Sequence, residues 1–346
     1  MEDVHFLKFD NLIFIPVELQ KQPAWIAFWR RFIYGFFKPS RYSIFWYWNM
    51  KPEDHQKISS LVNQADAIMI FRLYMFPVLV DFLTFSTSDA QISVDMDDAE
   101  TDTYQQLTRL QWKNRNLKDW CISKIGLFYM RYYERNIPGQ VNTIYFSNKK
   151  DIYKHRTNYS GKQVLHFSNK IPVIPRERRI TKNRDTVLFV GTLNYYPNLD
   201  AIEFLINKIW PLIVKSLPAA KLIIAGSKPG DRLKRLIQPN TSISLIENPP
   251  SIQDVFEKAN ILIVPLRAGG GTRIKILQAF SYGVPVVSTA IGVDGLDIVS
   301  GVTCLVAEEA KDIASACSQL LTNAALYNEV SNEAYDFYLR NYSFKM

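Results

Sequence analysis

The second half of the chain alternates between short apolar runs and longer amphipathic segments. The short runs are rich in β-branched residues and have the length of strands, while most of the segments between them show helical spacing. Strands that alternate with helices predict βαβ units, and hence a parallel sheet with right-handed crossovers. The predicted strands are Thr186–Val190, Lys221–Ala225, Ile243–Ile246, Ile261–Pro265, Val284–Ser288 and Thr303–Val306.

Local signals support two of the helices between these strands. Pro197 stands in the first turn of one predicted helix, where its missing amide hydrogen is not needed. Ser251 and Asp254 have the spacing of a capping box at the start of another. The second half is therefore predicted to be a doubly wound α/β domain, and such domains bind ligands beyond the carboxyl ends of their strands.

The first half is less regular but is also predicted to be α/β. One or two helices are expected between Leu110 and Arg135, whereas residues 20–50 fit no clean alternation. The predicted strands of this half are Ala67–Arg72, Gln91–Val94, Val141–Phe146 and Lys170–Ile174.

A charged stretch without periodicity, Arg176–Asp185, predicts an exposed linker between the two halves. A length of 346 residues also favours two domains, at roughly 150 residues each. The predicted division is a first domain over 1–180, a second domain over 186–323, and a C-terminal helix over 324–346 that packs back on the first domain.

Composition narrows the class of protein. Charged residues make up 21% of the chain, too few for disorder, and the net charge of +8 suits anionic ligands or surfaces. The three cysteines have no metal-binding spacing, so no metal site is predicted. Sparse cysteines and an acidic start predict a cytoplasmic protein, with peripheral attachment to the inner face of the membrane as an option.

The sharpest candidate site is a glycine-rich turn. The strand that ends at Pro265 runs into Gly269, Gly270 and Gly271, and a helix is predicted to follow with Thr272 as its N-cap. Glycines let the backbone approach an anion closely, and the free amides of a helix N-terminus attract it. The alternative, in which the glycines bind no ligand, is a flexible turn before a core helix. The P-loop pattern is absent, and the dinucleotide fingerprint would follow the first strand of its domain rather than the fourth.

Cations cluster around this turn. Lys275 and Gln278 are three residues apart and share a helix face, so one could neutralise a diphosphate while the other bonds a ribose. Arg267 and Arg273 are further candidate phosphate ligands.

Three stretches of the second half together resemble the nucleotide-sugar domain of family 4 retaining GT-B glycosyltransferases. The first resembles that family's first strand and glycine turn, the second its diphosphate loop and helix, and the third the strand and loop that follow. They are Val187–Leu193 with Pro197 and Asn198, then Gly269–Ala279, then Gly283–Thr289 with Ile291, Gly292 and Asp294–Leu296.

The resemblance implies a donor held in a cleft between two Rossmann-like domains. Gly191 and Thr192 would line the cleft, while Lys275 and the glycines would hold the diphosphate of a UDP- or GDP-sugar. It further implies transfer with retention to a glycan or lipid-linked glycan, within cell-surface polysaccharide biosynthesis and without an obligatory metal or other cofactor.

Two features depart from the family pattern. The family usually has a Glu-x7-Glu pair here, and the matching positions are Gly270 and Gln278. Nothing before Pro16 supplies the family's glycine-rich acceptor loop, so the first domain is expected to be incomplete. The alternatives are therefore a catalytically degenerate GT-B-like scaffold, or a sugar-nucleotide epimerase on the same fold.

Two other segments carry candidate chemistry. Asp95 and Asp97 end a predicted strand and could touch acceptor or sugar, hold a metal, or merely cap a helix. The aromatic and basic segment 25–38 could lie on an anionic membrane surface, although a core-facing helix is the alternative. No nucleic-acid-binding module is visible, and no nucleic-acid partner is expected.

Overall fold

The structure is a computed structural model that describes residues 18–19, 48–49, 52–75, 82, 89–137, 139, 141–173 and 184–344. The segment 25–38 and all of the predicted linker except Arg184 and Asp185 lie outside these residues. The described chain forms two compact units. One comprises the residues up to Asp95 together with Phe128–Thr143, and the other Met96–Leu127 together with Ile144–Met346. The division predicted from the sequence stays a prediction.

The first half is α/β, as predicted. Two helices stand where one or two were expected, and they are separated at Asn114, whose amide bonds the carbonyl of Leu110, and Arg115, whose φ is +55°. The first of these two helices begins at Glu100, whereas the predicted helical region began at Leu110. The elements are β1 Glu18–Leu19, β2 Trp48–Asn49, α1 Pro52–Gln64, β3 Ala67–Phe71, β4 Gln91–Asp95, α2 Glu100–Lys113, α3 Leu117–Arg135, β5 Val141–Phe146, α4 Lys149–His155, β6 Gln163–His166 and β7 Ile171–Pro172.

Strands β3 to β6 form a sheet in the order β3-β4-β5-β6, and β3 pairs with β4 in parallel. The predicted strands at 67–72, 91–94 and 141–146 are confirmed to within a residue at either end. The predicted strand at 170–174 is described as only two residues long.

The second half contains the predicted doubly wound sheet. Its strands pair in parallel in the order β10-β9-β8-β11-β12-β13. The elements are β8 Thr186–Val190, α5 Tyr196–Phe204, a π-helix Leu205–Ile209, α6 Trp210–Ser216, β9 Lys221–Gly226, α7 Asp231–Ile237, β10 Ile243–Glu247, α8 Ile252–Glu257, β11 Ile261–Val264, α9 Ile274–Ser281, β12 Val286–Ser288, α10 Ala290–Val293, β13 Leu305–Val306, α11 Ala310–Thr322, α12 Ala324–Asn341 and β14 Ser343–Phe344.

The strand bounds differ slightly from the prediction for physical reasons. β12 begins at Val286 rather than at Val284, because the amide of Val284 bonds the carbonyl of Ala279 and closes the preceding helix. Pro197 lies in the first turn of α5, and the Ser251 hydroxyl caps α8 by accepting from the Gln253 amide, both as predicted.

The strand order places a switch point at β8 and β11. β9 and β10 follow on one side of β8, whereas β11, β12 and β13 lie on the other, so the direction of winding reverses between β8 and β11. In doubly wound sheets the crevice beyond the carboxyl ends of two such strands is the usual ligand site. The residues after Val190 and after Val264 border this crevice.

A continuous core supports these two strands. Every residue of β8 and β11 is buried, as expected for central parallel strands with helices on both faces. α12 packs on α9 and α11, and its Ser331 hydroxyl donates to the carbonyl of Gly283. β14 then pairs in parallel with β7. The helix that carries Lys275 is thereby held against the core along its length.

Candidate functional site

The glycine turn follows β11 at the switch point, and each of its glycines is needed. Gly269 and Gly271 have φ values of +136° and +74°, which side chains of L-residues rarely adopt. A Cβ on Gly270 would lie 2.1 Å from the Thr103 hydroxyl oxygen. Two glycines are therefore required by backbone conformation and the third by lack of space.

Side chains from α2 and from the residues just before it lie against this turn. Asp98 lies beside it, with Oδ2 3.0 Å and 3.1 Å from the Cβ positions of Gly270 and Gly271. The side-chain oxygen of Gln106 accepts a hydrogen bond of 3.1 Å from the Gly269 amide. One of the three amides that were expected to face a phosphate is thus bonded to a neighbouring side chain.

Arg273 holds the glycine turn in place through hydrogen bonds to backbone carbonyls. Its two terminal nitrogens donate to the backbone carbonyls of Gly270 and Ile291, and the side chain is buried. In the described part of the chain, neither Arg273 Nε nor Thr103 Oγ1, both buried, has a hydrogen-bond partner. Buried polar atoms without partners are rare in native proteins.

Lys275 links the glycine turn to the end of β8. Its Nζ donates 2.9 Å to the side-chain oxygen of Asn198 and lies 5.0 Å from the ring centre of Phe189. A Cβ on Gly191 would lie 3.0 Å from this Nζ, so the glycine makes room for the lysine. Asn198 also donates 2.9 Å to the carbonyl of Thr192. Gly191, Thr192 and Lys275 are therefore brought together at the switch point.

The surroundings of Lys275 disfavour its protonated, positively charged form. Burial, and secondarily the nearby positive charge of Arg273, lower its pKa from 10.5 to about 7. An anion placed beside Nζ would favour the protonated form and raise the pKa again. A diphosphate is an anion of this kind.

Thr272 and Gln278 are two further predicted ligands of this region. The expectation that Thr272 caps the helix was wrong. α9 begins at Ile274 with Arg273 in the capping position, and the Thr272 hydroxyl donates 3.3 Å to the carbonyl of Ser147. Gln278 is partly exposed on α9, one turn beyond Lys275.

Arg267 is directed to α5 rather than to the glycine turn. Its guanidinium forms two bonds of 2.9 Å and 2.6 Å with the carboxylate of Asp200 and lies 5.1 Å from the ring centre of Phe204. The sequence position of Arg267, two residues before the first glycine, gave no sign of this pairing.

The acidic segment after β4 contains the residue that sequence reasoning missed. Asp95 ends β4, and its carbonyl accepts from the Arg72 amide. Asp97 has a φ of +53°, and its carboxylate accepts a hydrogen bond of 3.3 Å from the side-chain amide of Asn169. Asp98, which lies beside the glycine turn, was not singled out because strand alternation ceases to predict direction once the strand has ended. The run of acids was the available signal.

Neither a metal-binding cluster nor a membrane-spanning helix occurs among the described residues. No cluster of three or more histidine, cysteine, aspartate or glutamate side chains suited to a metal ion occurs among them. None of the helices in the described ranges is both long and apolar enough to cross a bilayer.

Solved structures of GT-B glycosyltransferases share the fold of this chain. A mutant of S. aureus TarM, in complex with Fondaparinux, alpha-GlcNAc-glycerol and UDP, aligns with 83% of this chain and 55% of its own at a TM-score of 0.66 and 14% identity. Anabaena HepE, in complex with UDP and glucose, aligns with 83% of this chain and 77% of its own at a TM-score of 0.63 and 10% identity.

The sequence comparisons match the second half of the chain to a family and most of the chain to one relative. Residues 184–323 match the model of the glycosyl transferases group 1. A Klebsiella pneumoniae protein described as an uncharacterized 44.6 kDa protein in the cps region is 28% identical over 243 residues, or 66% of this chain. The chain spans 61% of that relative's length and 55% of the TarM chain.

Proposed function

We propose that the protein transfers a sugar from a nucleoside diphosphate sugar to a glycan or lipid-linked glycan. The observation that carries the proposal is the meeting of the glycine turn, Lys275 and Gly191 at the switch point of the sheet. The group 1 family model over residues 184–323 supports it, as do fold neighbours whose structures contain UDP. The relative in a cps region supports a role in cell-surface polysaccharide biosynthesis.

In this proposal the binding free energy is concentrated on the diphosphate, which is the leaving group. Lys275 acquires a proton as the donor binds and stabilises the negative charge that develops on the departing phosphate. The amides of Gly270 and Gly271 bind phosphate oxygens, and the amide of Gly269 exchanges Gln106 for the donor. Gly191 and Thr192 border the donor, and Gln278 bonds the ribose. Arg267 and Arg273 hold the surrounding loops.

Asp98 is proposed to act on the sugar side of the donor. A carboxylate beside the turn repels phosphate oxygens, so its favourable partner is a hydroxyl group of the donor sugar or of the acceptor. Retention of the anomeric configuration remains part of the proposal on the basis of the family resemblance. Asp95 and Asp97 remain candidates for contacts further from the turn.

The test is a panel of radiolabelled UDP- and GDP-sugars, assayed for hydrolysis and for transfer to lipid-linked glycan extracts, together with calorimetric titration of UDP and GDP. We expect one nucleotide to bind and at least one of its sugars to be turned over. Absence of both binding and turnover across the panel would refute the proposal.

A catalytically degenerate scaffold is the second candidate, and Gln278 favours it because an amide replaces an expected acid. The variant Gln278→Glu separates the two functions. If the protein is an active enzyme, the variant should lose turnover, since the amide is part of the site. If the protein is a degenerate scaffold, the variant should gain turnover, and the unsubstituted protein should still bind nucleotide measurably.

A further inference from the structure

A cavity of about 430 Å³ is lined in part by Arg267, which lies in the loop that leads to the glycine turn. α5 and the π-helix form one wall, the chain after α2 contributes Asn114 and Asn116, and Arg232 and Arg267 complete the lining. Ligand pockets commonly have volumes of about 300–1,000 Å³. The space is thus large enough for a small ligand and is separate from the place where Lys275 meets Gly191.

Two ion pairs form the floor of this cavity. Arg267 binds Asp200 through two bonds, and Asn114 donates a further bond of 2.8 Å to the same buried carboxylate. One turn later on α5, Glu203 pairs with Arg232 at 2.7 Å. Each guanidinium has five N–H donors and uses only some of them to bind its carboxylate. Donors and acceptors for a ligand therefore lie side by side in the lining.

The π-helix brings polar residues to the rim. Pro211 cannot donate a helical bond to the carbonyl of Asn207, and its ring crowds that carbonyl, which accounts for a widened turn at this place. Asn207 and Lys208 lie in the widened turn, are exposed, and line the cavity. At the rim, Asn207 therefore adds a side-chain amide and Lys208 adds a cation to the two ion pairs of the floor.

These groups suit a sugar better than an anion. Amides, paired carboxylates and guanidinium groups supply adjacent donors and acceptors of the kind that neighbouring ring hydroxyls need. Tyr196 and Phe204 add aromatic surface. Each guanidinium of the lining is already paired with a carboxylate, so within the described lining Lys208 is the remaining cation for a highly charged anion such as a diphosphate. We propose that this cavity binds a neutral pyranose unit of a glycan, which, given the proposed function, belongs to the acceptor.

The experiment is saturation-transfer NMR on the whole chain with methyl glycosides of glucose, galactose, mannose and N-acetylglucosamine, and with maltose, cellobiose and lactose. At least one probe should bind with a Kd on the order of 1 mM. Asn207→Trp, which fills the cavity, and Arg232→Ala, which removes a lining donor, should each lower the transferred signal about fivefold or more. The matched control is Lys234→Ala, because Lys234 is on the same helix as Arg232 and forms an exposed pair with Glu247 outside the cavity.

Thermal melting of each variant confirms that it is folded. Signal from no probe, or an equal signal in Asn207→Trp, would overturn the proposal. Binding of inorganic phosphate that Asn207→Trp abolishes would reassign the cavity to anions and would also overturn it. Calorimetric titration of UDP and GDP on the same samples keeps the two proposals apart. Nucleotide binding without sugar binding leaves the proposed function standing, and sugar binding without nucleotide binding leaves only the cavity.

Discussion

Replacing Lys275 by methionine should stabilise the folded protein while weakening nucleotide binding. The lysine has a partly buried ammonium group whose nearest described contacts are an amide oxygen and an aromatic ring. Methionine keeps most of the packing against Phe189 and removes the need to bury or neutralise a charge. Its cost is the hydrogen bond to Asn198, about 1 kcal/mol.

The magnitude follows from the lowered pKa. A decrease from 10.5 to about 7 corresponds to about 5 kcal/mol of unfavourable free energy in the folded state, at about 1.4 kcal/mol for each factor of ten. The side chain keeps some contact with solvent, which reduces this cost, and the lost hydrogen bond reduces the gain further. We therefore expect Lys275→Met to raise the free energy of unfolding by about 1–3 kcal/mol near neutral pH.

The pH dependence distinguishes this cause from better packing. Because the folded pKa is lower than the unfolded one, the unfolded chain binds more protons between about pH 7 and 10.5, and the stability of the natural protein rises with pH in that window. The advantage of Lys275→Met should be full below about pH 7 and should shrink as the pH approaches 10.

The assay is urea unfolding followed by tryptophan fluorescence, near pH 7 and near pH 9.5. The control is Lys221→Met, a lysine that is 68% exposed and whose replacement should show no such trend. On calorimetric titration Lys275→Met should bind UDP or GDP at least about 10-fold more weakly. A less stable variant near pH 7, a gain that is the same at both pH values, or an unchanged nucleotide affinity would refute the reasoning.

Three further predictions concern the turn and its neighbours. Gly271→Ala should abolish measurable nucleotide binding, whereas Gly301→Ala, with a similar φ of +82° and open space around it, should cost similar strain and leave calorimetric affinity unchanged. Asp98→Asn should reduce turnover about 100-fold or more while changing UDP affinity less than about threefold, and a loss of affinity alone would contradict its role. Arg267→Ala should destabilise the protein by about 3 kcal/mol in urea unfolding, because the carboxylate of Asp200 stays buried without its main partner, and a neutral effect would contradict that pairing.

Prediction from the sequence succeeded where local pattern and tertiary environment agree. β8 and β11 are buried on both faces, so continuous apolar runs identified them without knowledge of their neighbours. The glycine turn was recognisable for a similar reason, since the positive φ values at Gly269 and Gly271 are a property of the local backbone.

Contacts between distant parts of the chain could not be predicted in this way. Arg267 was expected to face a phosphate, and only the fold reveals that Asp200, on another helix, takes its guanidinium. The same holds for Gln106, which reaches the Gly269 amide from α2. A side chain with several donors and long reach has many acceptable partners, and composition does not choose among them.

The close packing over Gly270 also limits how this sequence can change. A glutamate at that position, which would bring the chain nearer to its family's usual pattern, has no room while the Thr103 hydroxyl lies 2.1 Å from the required Cβ. Positions 103 and 270 are therefore coupled, and a route between the two patterns must alter the threonine first or pass through a poorly folded intermediate. Homologues with an acid at the turn are expected to carry a smaller residue, or a displaced helix, where this chain has Thr103.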